Sequence, residues 1–163
     1  HNIKKGFLAS YMWDAFANPV LLQVADELRQ AMPGILEDHE LAQVWGYKYL
    51  QPNSGPSLHA DKGAVNVHLW VVPDECNLDP SSGGLTVYKF GADANVTWEG
   101  DRFPRKGDLD TVRAEAQQKV VVPYHRNRAV IFHGDFFHET EAHKFKPSFD
   151  CHRVSVVLLF GKR

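Results

Sequence analysis

His59 and Asp61 are two positions apart, with Ala60 between them. On extended backbone, residues two apart project to the same side, so an imidazole nitrogen and a carboxylate oxygen can approach one ion together. A His-x-Asp triplet is common by chance, and its weight comes from two further stretches. Gly134-Asp135-Phe136-Phe137-His138-Glu139-Thr140 carries a histidine just after an apolar run, and Arg153-Val154-Ser155 opens another. Two histidines and one carboxylate form the facial set that holds non-haem Fe(II) while leaving positions open for substrate and oxygen. A guanidinium suits a carboxylate through paired, charge-assisted bonds. A hydroxyl two residues along the strand lies on the same face and can share the anion. These residue types point to an iron centre beside a site for a carboxylate-bearing co-substrate.

Spacing alone leaves choices open. His133 ends the apolar run Ala129–Phe132 and competes with His138 as the third ligand. Arg153 has a plain alternative in an ion pair with Asp150. Any one of the 9 histidines is more commonly an ordinary surface or hydrogen-bonded imidazole. Only the combination is specific.

The elements that must position these residues are legible in part. Asn18 is a good N-cap and Pro19 suits the first helical position. Val20, Leu21, Val24, Leu28 and Met32 follow at helical spacing, and Pro33-Gly34 is expected to end the helix. This reads as a support helix packed on a sheet, while the first ten residues carry no pattern. From Gln43 the chain turns β-prone, with Val44-Trp45-Gly46-Tyr47-Lys48-Tyr49 and then a Pro52–Pro56 turn cluster. Val65 to Val72 alternates most clearly. Val65, Val67, Leu69 and Val71 form an oily face, and Asn66, His68 and Trp70 form a mixed face suited to a pocket wall. Pro73 to Gly84 is a loop ending in Ser82-Gly83-Gly84, and Leu85–Tyr88, Val120–Val122, Ala129–Phe132 and Val154–Phe160 are further strands. Gly91 to Gln118 is weakly patterned, with Asp108 as a candidate cap for a short helix, and reads as a lid, a specificity loop or variable surface.

A helix followed by short strands divided by Gly/Pro loops excludes a parallel βαβ sheet, and no Gly-rich phosphate loop precedes a helix. The expectation is an all-β core with flanking helices, two antiparallel sheets forming a jelly roll. The 163 residues suit a single domain, with residues 1–44 as N-terminal helical support and 45–163 as the β core. A net charge of -2 without a basic run argues against nucleic acid or an anionic membrane as default partners. No apolar stretch approaches the roughly 20 residues of a membrane helix, and no signal-peptide layout opens the sequence. The sequence begins at His1 rather than Met, as expected of a processed product or a fragment. Cys76 and Cys151, the only 2 cysteines, are expected to be reduced thiols in a cytoplasmic setting.

His59-Ala60-Asp61, His138 and Arg153-Val154-Ser155 together resemble the Fe(II)/2-oxoglutarate-dependent dioxygenase superfamily. Ser82-Gly83-Gly84-Leu85, followed by Ala129 through His138, is similar to its phytanoyl-CoA and prolyl-hydroxylase-like branches. The resemblance covers residues 45–163 and favours His138 over His133. It implies a double-stranded β-helix, cupin-like in form, with His59, Asp61 and His138 holding Fe(II). Arg153 and Ser155 would bind the far carboxylate of 2-oxoglutarate. Tyr49 would add a hydroxyl, with Tyr47 as its substitute, and Asn66 and Trp70 would line the same pocket. The implied reaction hydroxylates an unactivated C–H of a small-molecule or peptide substrate using O2, and releases succinate and CO2. Asp61 speaks against the halogenase variant, in which the carboxylate is typically replaced. Two rivals stand beside this reading: a non-catalytic jelly-roll module, and a cupin-type metalloenzyme that does not use 2-oxoglutarate. Arg153-x-Ser155 argues against the second.

Overall fold

The computed structural model describes residues 2–4, 6–14, 16, 18–91, 98–99, 103–104, 110, 112–114 and 118–162. Antiparallel strands dominate it. In chain order they are β1 (Asn2–Lys4), β2 (Phe7–Tyr11), β3 (Leu41–Tyr49), β4 (Val65–Trp70), β5 (Leu85–Gly91), β6 (Trp98–Glu99), β7 (Phe103–Pro104), β8 (Lys119–Val122), β9 (Ala129–His133), β10 (Phe136–Thr140) and β11 (Val154–Phe160), with helices α1 (Pro19–Ala31) and α2 (Pro33–Leu36) between β2 and β3. A six-stranded sheet runs in the order β1-β2-β3-β11-β4-β9, and a three-stranded sheet in the order β10-β5-β8; β6 and β7 pair with each other.

Helix α1 begins as its sequence requires. The Asn18 side chain accepts a hydrogen bond from the Leu21 amide at 3.1 Å, and Pro19 fills the first turn. Leu21, Ala25 and Leu28 pack with Leu36, Val44, Val65, Val67, Val156, Leu158 and Phe160, so the helix covers the outer face of the large sheet. Pro33 ends α1 and at once opens α2, because its fixed φ suits a first helical position as well as it blocks an interior one. Val65 and Val67 face this outer core as the alternation predicts, with Leu69 packed against it. Val71 lies past the strand end and is 49% exposed.

The opposite face of the large sheet meets the small one. Trp70, Val72, Leu85, Val87, Tyr124 and Val130 form a second core there. Strand register sorts the inner face into rows across β3, β11 and β4. Leu159 is opposite Gln43 and Asn66, Val157 opposite Trp45 and His68, and Ser155 opposite Tyr47 and Trp70. Neighbouring rows are one pleat repeat apart, about 6.6 Å.

Four expectations change. Asn2–Lys4 and Phe7–Tyr11, in a stretch patternless in sequence, form β1 and β2 and extend the large sheet, so the N-terminal part is not helical support alone. His138 lies in a strand of its own, β10, which its two phenylalanines and Thr140 favour. His59 and Asp61 lie outside any named strand, with His59 in an isolated bridge to His138. Cys76 and Cys151 are joined as a disulfide, their Cα atoms 5.1 Å apart, rather than being free thiols. The fold brings two 3-10 turns, Asp74–Cys76 and Phe149–Cys151, into contact across 75 positions, which spacing alone does not reveal. Most of the Gly91–Gln118 stretch, including Asp108, lies outside the described residues; 112–114 are helical.

Candidate metal centre and anion pocket

A reciprocal backbone pair builds the centre. The His59 amide donates to the His138 carbonyl at 3.0 Å, and the His138 amide donates to the His59 carbonyl at 2.7 Å. This sets the two imidazoles side by side, with ring centroids 4.3 Å apart. Asp61, two residues on, places Oδ1 3.6 Å from His59 Nε2 and Oδ2 3.4 Å from His138 Nε2. One ligand atom from each of the three lies within 4.8 Å of the others.

The other ring nitrogens fix the tautomers. His59 Nδ1 is 2.6 Å from the Ser57 carbonyl, and His138 Nδ1 is 3.2 Å from the Phe136 carbonyl. A carbonyl only accepts, so Nδ1 carries the proton and Nε2 turns a lone pair toward the carboxylate. The Asn66 amide donates to Asp61 Oδ2 at 3.2 Å. His138 Nε2 is buried and makes no hydrogen bond, although Asp61 is close. Acceptor atoms converging in this way are satisfied by a cation, so the residues fit a divalent metal. Burial by itself raises the Asp61 carboxyl, but in the metal-free protein His138 and His59, once protonated, outweigh it and hold the group well below the ordinary carboxylate range. Burial, then nearby His138, pushes His68 well below 6.5, so its ring is neutral.

Arg153 is only 1% exposed. Its Nε donates to the Gly83 carbonyl at 2.7 Å, its Nη1 to Ser155 Oγ at 2.7 Å and its Nη2 to the Gly84 carbonyl at 3.2 Å. Tyr49 stacks on the guanidinium at 4.5 Å, with Trp70 at 5.8 Å and Tyr124 at 5.9 Å. Every one of these partners is neutral. No acidic side chain pairs with Arg153 among the described residues, and Asp150, its sequence-level alternative, is exposed. A buried cation without a counter-ion is costly unless an anion joins it. Glycine makes this cradle possible. Gly83 has φ +87°, and a Cβ on Gly84 would lie 1.8 Å from the Val122 carbonyl oxygen.

One pocket is lined by His59, Asp61 and His138 together with Arg153, Ser155 and Tyr49. Tyr47 and His68 also line it. Burial and then Tyr11 push the Tyr47 hydroxyl far up, so it stays protonated. Asn66 holds the carboxylate and is not among the lining residues; Trp70 stands behind Arg153 in the core. His133 is remote from the cluster, with a 59% exposed side chain 3.4 Å from Asp135.

No family model matches the chain, and no curated protein does. Among solved structures, apo HygX from Streptomyces hygroscopicus is similar. It is 12% identical, with a TM-score of 0.49, over 97% of this chain and 82% of that one. At that level the likeness carries no argument, and the site must speak for itself.

Sequence reasoning missed several parts of the pocket. Thr140 lines it and has its hydroxyl 3.4 Å from that of Tyr49. The signal was His138-x-Thr140, the same two-residue step that flagged His59 and Asp61. Trp45, Leu85 and Val157 also line it. The Gly83 and Gly84 carbonyls carry no side-chain signal at all.

Proposed function

We propose that this chain is an Fe(II)- and 2-oxoglutarate-dependent oxygenase on a double-stranded β-helix, a cupin-like jelly roll, spanning 1–163 as one domain. It hydroxylates an unactivated C–H of a small-molecule or peptide substrate, using O2 and releasing succinate and CO2. The observation that carries this reading is a buried guanidinium, without an acidic partner among the described residues, in the same pocket as a His/Asp/His cluster. A metal module without a co-substrate has no use for that cation.

His59, Asp61 and His138 would hold Fe(II) on one face, and Asn66 keeps the carboxylate turned toward it. Arg153 and Ser155 would take the far carboxylate of 2-oxoglutarate, with Tyr49 and Thr140 offering hydroxyls beside it. When bound, iron with its oxo acid supplies the oxidising power for the C–H step. The aromatic wall of Trp45, Tyr47 and Tyr49 orients ligands and excludes water. Nucleic acid and membrane stay outside this reading; no helix among the described residues is long and apolar enough to cross a membrane. A cytoplasmic setting was expected from free thiols, and the disulfide removes that ground.

The test is anaerobic titration with Fe(II), ascorbate and 2-oxoglutarate. The wild-type chain develops the weak visible charge-transfer band of the chelate, and Asp61→Ala abolishes both the band and Fe(II) binding. A wild-type chain without a band at saturating concentrations would overturn the proposal.

A further inference from the structure

His68 has no part in the machinery described above. It stands on β4 between Val157 and Val130 and lines the pocket while only 6% exposed. Its ring is wedged between Phe132, centroids 5.2 Å apart, and the edge of His138, also at 5.2 Å. Its Nε2 is buried without a hydrogen-bond partner. A leucine would fill the same space without a stranded polar atom, so the imidazole costs the empty fold stability. Its nitrogens also fall outside the cluster of ligand atoms that His59, Asp61 and His138 bring within 4.8 Å.

Its row lies one pleat repeat from that of Ser155, and its ring borders the imidazole of His138. All three residues of the row, Trp45, Val157 and His68, line the pocket that holds both the metal cluster and Arg153. We infer that His68 is a positioning residue for the co-substrate, donating a hydrogen bond to the oxo-acid end of 2-oxoglutarate while Arg153 and Ser155 hold the other end. The inference rests on the proposed function and assigns His68 a ligand contact rather than a metal bond.

The test compares His68→Leu and His68→Gln with the wild type. Measured are the thermal midpoint of the metal-free protein, the Fe(II) affinity, and the 2-oxoglutarate affinity and band position of the anaerobic Fe(II) protein. His68→Leu melts no lower than the wild type and keeps Fe(II) affinity within about twofold. It loses about tenfold or more in 2-oxoglutarate affinity, the effect of one hydrogen bond to a charged group, and its charge-transfer maximum moves. His68→Gln, which retains an N–H, recovers most of that affinity. Parallel loss of Fe(II) would make His68 a ligand, a sharp drop in melting would make it a structural partner, and unchanged affinity and band would leave it idle. Each of these overturns the inference. A wild type without a band instead fails the proposed function itself.

Discussion

Arg153 shows what a single buried charge reveals about a missing partner. Its three recorded bonds leave two of its five N–H donors for a ligand, and the planar fork is what matches both carbonyls and a carboxylate. Arg153→Lys keeps the charge and loses the fork. We expect 2-oxoglutarate affinity to fall by about tenfold to a hundredfold, with Fe(II) affinity unchanged by calorimetry; equal loss of both would assign Arg153 to folding. His143 tests a different balance. It is buried beside Tyr49, and burial, then Arg153, lowers its pKa from 6.5. A histidine held neutral when folded favours folding above its unfolded pKa, and that contribution is lost as pH falls below about 6.5. The melting temperature of the metal-free protein should therefore decline below that pH, and His143→Asn should flatten the first part of the decline. A wild-type curve level down to pH 5 would contradict this. At this scale the sequence was informative wherever two residues share one extended face, as with His59 and Asp61 or Arg153 and Ser155. It was silent where the partner is a backbone carbonyl, as at Ser57, Phe136, Gly83 and Gly84.

Elements were legible where local chemistry decided them. Asn18-Pro19 started α1 as expected, and the alternation of Val65 to Trp70 fixed which face of β4 meets the helix. β2 and β10 were missed because short strands draw their stability from pairing with distant partners, here Tyr49-Lys48-Tyr47 and Val87-Thr86-Leu85. The disulfide has the same origin. It ties the loop that presents Gly83 and Gly84 to the turn just before Arg153, so it braces the anion cradle from behind. Closing a segment of this length removes about 4 kcal/mol of denatured-state freedom. Reduction, or Cys76→Ser with Cys151→Ser, should lower the melting temperature clearly and weaken 2-oxoglutarate more than Fe(II). A reduced protein with unchanged melting would show that the bridge adds nothing to the fold.

On the scale of the whole molecule, the pocket draws on segments around 45–49, 59–68, 85, 138–140 and 153–157, each on a different strand or loop. Two ligands bridging such segments stabilise the folded state by mass action, about 2.7 kcal/mol for each present at a hundred times its Kd. Melting should therefore rise with Fe(II) and rise again with 2-oxoglutarate, and a second addition without effect would show that the anion site is not coupled to the fold. The sheet also has an order of construction. β11 sits between β3 and β4, so the strand made latest of the six stands near the middle. A growing chain has His59 and Asp61 in hand long before that gap is filled, and His138 only shortly before. The three candidate ligands are thus made before the strand that fills the gap between β3 and β4, and a metal seated by the finished sheet is seated only after that strand is in place.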